Sequence, residues 1–106
     1  MAAMQHFFLK LIAPRSSFAM DMSADEKAIM AEHLAYWKAK LDNGEVIVFG
    51  PVMDPKAPYG MGAVAAADET AARAFADGDP AIKSRRGFTC EIHPMRAVTR
   101  ETVNAP

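Results

Sequence analysis

Residues 23–51 read SADEKAIMAEHLAYWKAKLDNGEVIVFGP, and the way this stretch divides decides the fold. Ser23-Ala24-Asp25-Glu26 has the capping-box pattern, in which the serine hydroxyl and the glutamate carboxylate each satisfy a backbone N–H left free at a helix start. Asn43-Gly44 tolerates the left-handed backbone that ends helices, so a helix is expected from about residue 24 to 42. Glu45 to Phe49 then reads as a strand stopped by Gly50-Pro51. At 100° per residue, Met30, Leu34, Trp37 and Leu41 form one stripe that is expected to face the core. His33 falls about 60° from the centre of that stripe, between Trp37 and Ile29. A histidine there must find a hydrogen-bond partner.

Reading outward in both directions completes the order of elements. His6 to Ile12 is a short aromatic and aliphatic strand stopped by Ala13-Pro14, and a loop follows as far as the serine cap. Beyond Phe49, the stretch Pro51 to Gly60, with Pro55 and Pro58, is expected to be a long loop. Met61 to Ala66 is a third strand, Asp68 caps a second helix that runs to about Asp77, Asp79-Pro80 starts one short turn, and Phe88 to Met95 is the last strand. The order βαββαβ is the split βαβ of an α+β, ferredoxin-like domain. Right-handed crossovers make the first two strands parallel to each other, run the last two in the opposite sense, and put both helices on one face.

The other face of the sheet needs cover as well. In the first strand Phe7, Leu9 and Leu11 point one way and Phe8 and Ile12 the other; in the second, Val46 and Val48 oppose Ile47 and Phe49. With no third layer in the chain, a second copy is the simplest cover, so a two-fold homodimer joined sheet to sheet is expected. The polar tail after Met95 is expected to fray or to wrap on the partner.

Composition narrows the function classes. The 106 residues fit one domain, with its core over about residues 6–96. Twelve basic and 13 acidic residues leave a net charge of -1, which offers no field to recruit nucleic acid or an anionic membrane. The single Cys90 and the absence of a secretory or membrane-spanning apolar run give a cytoplasmic location as the expectation. Cys90 and His93 stand three apart on a strand and so face opposite sides, which argues against a shared metal. No phosphate-binding glycine loop or nucleophile elbow occurs.

Asp79 is the conspicuous partner for His33. Bonded to one ring nitrogen, it would set the tautomer and leave the other nitrogen to take or give a proton. Gly50-Pro51, at the same edge of the sheet, would let a ligand approach the backbone. Met53 and Tyr59 could line the pocket, and Arg85, in a basic cluster with Lys83 and Arg86, could clamp an anion at its mouth. Each has a plainer reading: a core histidine bonded to a carbonyl, a helix cap before Pro80, a strand terminator, a solvated basic face.

Three blocks together resemble the YCII-related domain family: His33-Leu34 on the first helix, Leu41-x-x-Gly44-x-x-x-x-x-Gly50-Pro51, and Phe75-Ala76-Asp77-Gly78-Asp79-Pro80. The resemblance spans about Phe7 to Met95. It implies a dimeric α/β-barrel of ferredoxin-like subunits, with an active site holding the residues that match His33 and Asp79. It also implies a cofactor-free enzyme acting on small, often aromatic-derived molecules, for example by dehydrochlorination. The chain departs from the family in its long Ala13–Met22 loop and its alanine-rich third strand. The leading expectation is therefore elimination, isomerisation or hydrolysis of a small molecule, with His33 moving the proton and Asp79 orienting it. The alternative is a non-catalytic module of the same fold that binds or senses an unknown small ligand.

Overall fold

A computed structural model describes residues 4–100; the tail beyond them, residues 101–106, lies outside the described residues. The elements are β1 (Gln5–Ile12), α1 (Phe18–Asp21), α2 (Ala24–Asp42), β2 (Val46–Val52), β3 (Tyr59–Ala66), α3 (Glu69–Asp77), α4 (Pro80–Lys83) and β4 (Thr89–Met95). The strands form one antiparallel sheet in the order β2-β3-β1-β4, compatible with the ferredoxin-like α+β fold. Among the described residues no helix is long and apolar enough to cross a membrane.

Three details depart from the sequence expectations. β2 does not stop at Gly50-Pro51 but continues to Val52, with Pro51 opposite Gly60, so the connecting loop shortens to residues 53–58. Proline is tolerated there because β2 is an edge strand, whose free side needs no ladder donor. A register shift between Val46 and Val48 also breaks the strict alternation of β2. Val46 is buried and Phe49 packs on the core, while Ile47 and Val48 are both exposed, since a bulge inserts one residue into the period of two. Finally, the expected loop after β1 contains the short helix α1, with Phe18 buried and Met20 almost fully exposed.

α2 begins as expected. Ser23 Oγ accepts from the Glu26 N–H at 3.1 Å, and the Ser23 N–H donates to Glu26 Oε1 at 2.9 Å. Its buried face is rotated from the expected stripe. Trp37 is buried, but Leu34 is 50% exposed and Leu41 39%, and the inward line runs through Glu26, Met30, His33 and Trp37. His33 thus stands near the middle of the inward face rather than at its flank.

The rotation has a cause in the sheet. β3 carries glycine at two successive inward positions. Gly62 lies in a row with Ile92, Leu9 and Phe49, and Gly60 lies in the next row with Cys90, Leu11 and Pro51. The Trp37 ring rests on Gly62 so closely that a Cβ there would overlap it. The ring also meets Phe75 edge-on at 4.8 Å between centroids and Phe49 at 5.6 Å. An aromatic ring of this size gains most when fully desolvated against such partners, so the glycine slot fixes the azimuth of the helix.

Replacing Gly62 with alanine should therefore push Trp37 off the sheet and lower stability by about 1–3 kcal/mol, as overpacking of a filled core does. Urea unfolding followed at equilibrium checks this, and an unchanged midpoint would mean that the ring does not depend on the slot.

Candidate active site

The site is built on the connection between α3 and α4. Gly78 closes α3, and its missing Cβ leaves room for the Tyr36 hydroxyl, which would lie 2.7 Å from such an atom. That hydroxyl donates to the Phe75 carbonyl at 2.8 Å, joining the Gly78 N–H, which donates to the same oxygen at 3.2 Å as the helix ends. Burial pushes the Tyr36 phenol above its ordinary range, with the charges of Asp79 and Glu45 acting in the same direction, so it stays a donor. Asp79 then caps α4, its Oδ1 accepting from the Ala81 N–H at 2.8 Å with Pro80 as the first helical residue.

Asp79 is 2% exposed, and a carboxylate so buried must have its lone pairs filled. Besides the Ala81 N–H, Oδ2 accepts from the Trp37 indole N–H at 2.8 Å. His33 Nδ1 lies 2.9 Å from Oδ1 and 2.8 Å from Oδ2. Both oxygens already accept from groups that can only donate, so the proton of the third contact sits on Nδ1. Nε2 is then the basic atom of the neutral ring. It has no hydrogen-bond partner among the described residues, and no fully buried side-chain nitrogen or oxygen there lacks one. Nε2 is therefore open to solvent or ligand, even though the side chain as a whole is only 15% exposed.

The ring borders a cavity of about 280 Å³ between α2 and the sheet. Its floor is the row of Leu11, Gly60, Pro51 and Cys90, the inward row that no side chain of α2 fills as Trp37 fills the one beside it. A Cβ at Gly60 would stand 3.4 Å from Leu11 Cβ and raise that floor. The cavity takes its lining from both hydrophobic clusters, Leu9 and Trp37 from one, Leu11, Phe18 and Phe88 from the other. Cys90 contributes a thiol that burial pushes up to about 11, so it presents a neutral S–H near pH 7.

Of the residues singled out in the sequence, His33, Asp79, Gly50, Pro51 and Tyr59 border this one space. Met53 and Arg85 do not. Met53 is the first residue past the lengthened β2 and is 71% exposed, while Arg85 follows α4 in a left-handed turn, φ 57°, on the exposed side. Its neighbour Arg86 pairs with Asp25 at 3.3 Å. Among the described residues no group of three or more His, Cys, Asp or Glu side chains could hold a metal ion.

Three contributors escaped the sequence reading. Trp37 was recognised as core, but its N–H is also the donor that orients Asp79; its position four residues after His33 puts both on one helix face. Gly60-x-Gly62 opens the floor, a period-two signal in a strand. The segment from Ala13 to Met22 walls the cavity through Phe18, Ala19 and Met22 and is tied down by Arg15. Its guanidinium donates to both oxygens of Glu26 at 2.8 Å and to Asp21 Oδ1 at 2.8 Å.

The family model of the YCII-related domain matches residues 4–96. The chain belongs to the YCII-related domain family. No curated protein matches it. Within this YCII-related domain, the separate sequence blocks around His33, Gly50-Pro51 and Asp79 converge on the walls of one cavity.

The Arg15 fork also sets an acid limit. Its hydrogen bonds, with the backbone N–H of Ser23, hold the Glu26 carboxyl down at about 2 against an ordinary 4.5. A carboxyl depressed by folding adds stability that is complete above its unfolded value and disappears as pH falls through the folded one. Stability should accordingly decline between about pH 4.5 and 2, and Glu26→Gln should flatten that decline while lowering stability near neutral pH. Thermal unfolding across this range checks it; parallel curves for the two proteins would remove Glu26 as the cause.

Proposed function

We propose that this YCII-related chain is a small-molecule enzyme in which His33 Nε2 takes and returns a proton while Asp79 holds the ring and balances its charge. The observation that supports this reading is the pairing of Nδ1 with a buried carboxylate while Nε2 stays uncommitted at a cavity. A carboxylate behind the ring fixes the tautomer and steadies the imidazolium that forms when Nε2 accepts a proton. In an elimination, Nε2 would take a proton from carbon, the C–H electron pair would become the new double bond, and the leaving group would depart with its own pair. In an isomerisation the imidazolium would return the proton to a different carbon; in a hydrolysis Nε2 would take it from the attacking water. Met53 and Arg85 drop out of the proposed pocket, leaving His33 and Asp79 as the catalytic pair and Gly50, Pro51 and Tyr59 as walls.

Proton transfer can be read without knowing the natural substrate. Incubated in D2O with a set of small neutral aryl ketones, the protein should exchange an α-proton for deuterium, followed by NMR. His33→Ala should slow that exchange by about 10²- to 10⁴-fold, the usual contribution of a positioned base, and Asp79→Asn should slow it as well. Exchange that survives intact in His33→Ala would leave a binding or purely structural role for the imidazole.

The same proposal includes a second copy of the chain. On the sheet face away from α2 and α3, Val48 is 51% exposed and Met95 39%, beside the half-buried Phe8 and Ile12. A two-fold axis would let this face meet the same face of a second copy and cover its apolar residues, which favours a homodimer as the closed arrangement. Sedimentation at micromolar concentration should give a dimer for the natural sequence and a shift towards monomer for Val48→Lys. A natural protein that sediments as a monomer would overturn this part of the reading and leave the His33 chemistry standing.

A further inference from the structure

The charge of the cavity wall narrows what can enter it. Among the described residues no lysine or arginine lines the cavity, although the chain has 12 of them. Arg15 is committed to Glu26 and Asp21, and Lys10 lies over the Tyr59 ring at 4.5 Å. Asp79 is the acidic side chain among the described residues on the wall, and His33 adds no net positive charge, because an imidazolium there would be matched by that carboxylate at 2.8 Å. An anionic ligand would leave water for a hydrocarbon wall with no cation to meet it and a fixed negative charge close by, which is the costly case of charge burial. The cysteine thiol, held neutral by burial, does not change the balance.

Volume sets the second limit. A hydrocarbon-lined cavity of roughly 150 Å³ accommodates benzene, and about 280 Å³ is available here, enough for two fused rings or an open chain of similar bulk. Leu9, Leu11, Phe18, Trp37 and Phe88 surround that space with apolar surface, leaving Nε2 of His33 as the basic atom that an approaching donor meets. We infer that the site takes an uncharged, largely hydrocarbon molecule with a single hydroxyl or comparably weak acid directed at Nε2, and that it rejects carboxylates and phosphates. This rests on the reading of His33 as the proton acceptor. It also replaces the expected anion clamp at Arg85, which stands away from the cavity.

Three probes of one shape separate these points: 2-naphthol, which is neutral near pH 7, 2-naphthoate, which is ionised, and naphthalene. Equilibrium dialysis against the whole chain should show 2-naphthol bound about tenfold or more tighter than 2-naphthoate, a ratio equivalent to about 1.4 kcal/mol. Leu34→Lys, which sets a cation on the cavity wall, should recover 2-naphthoate binding by about fivefold or more without strengthening 2-naphthol. Equal or preferential binding of 2-naphthoate by the natural sequence overturns the inference, as does the absence of saturable binding for all three probes. The reading of His33 is judged separately. If 2-naphthol loses its advantage over naphthalene in His33→Ala, Nε2 is the acceptor. If 2-naphthol and naphthalene bind alike in the natural protein while 2-naphthoate is still rejected, the acceptor role falls and the charge selectivity stands.

Discussion

The buried carboxylate of Asp79 organises this molecule. Asp79 sits at 2% exposure, where an unpaired charge would be strongly destabilising, and the fold supplies it with donors from two places. The Ala81 N–H comes from the start of α4, and the Trp37 and His33 donors come from the middle of α2. Those bonds tie the long helix to the short one across a gap of more than forty residues in sequence. Tyr36 adds a parallel tie to the end of α3 through the Phe75 carbonyl. Satisfying the charge and positioning the imidazole are therefore the same structural event, and the proposed chemistry uses a bond that folding already requires.

The cavity exists because the sheet under α2 is uneven. Two inward glycines in β3 create two low rows; Trp37 fills one, and the other has no occupant of comparable size from the helix. The hollow of about 280 Å³ in a chain of 106 residues leaves apolar surface uncovered that closer packing of the helix would have buried. The α1 segment raises a wall around the hollow instead of collapsing into it, and the Arg15 fork to Glu26 and Asp21 holds that wall in place. Glu26 thereby serves twice, as the capping-box partner of Ser23 and as the anchor of the wall.

Much of this was legible one residue at a time. The capping box at Ser23–Glu26, the Asn43-Gly44 stop, and the Asp79-Pro80 helix start are local rules, satisfied by neighbours within four residues, and each appears where the sequence put it. What misled was periodicity near its limits. The stripe through Leu34 and Leu41 is a fair reading of hydrophobicity, but the helix turned until Trp37 met its glycine slot, leaving Leu34 half exposed at the cavity. Alternation in β2 failed at the bulge, and Gly50-Pro51 looked like a terminator because an edge strand excuses a proline that a central strand would not.

Sequence alone thus gave the order of the strands and of the longer helices and marked His33 and Asp79 as candidates, because caps, turns and the two periodicities act over a few residues and need no knowledge of the whole. Only the tertiary structure decided the azimuth of α2, the register of β2, the donors that fill the Asp79 lone pairs, and which polar side chains reach the cavity. Those depend on contacts between segments far apart in the chain, where the size of one side chain and the absence of another are weighed against each other in space. Arg85 and Met53 show the difference: both lie close in sequence to residues of the site, and the turns that follow α4 and β2 carry them away from it.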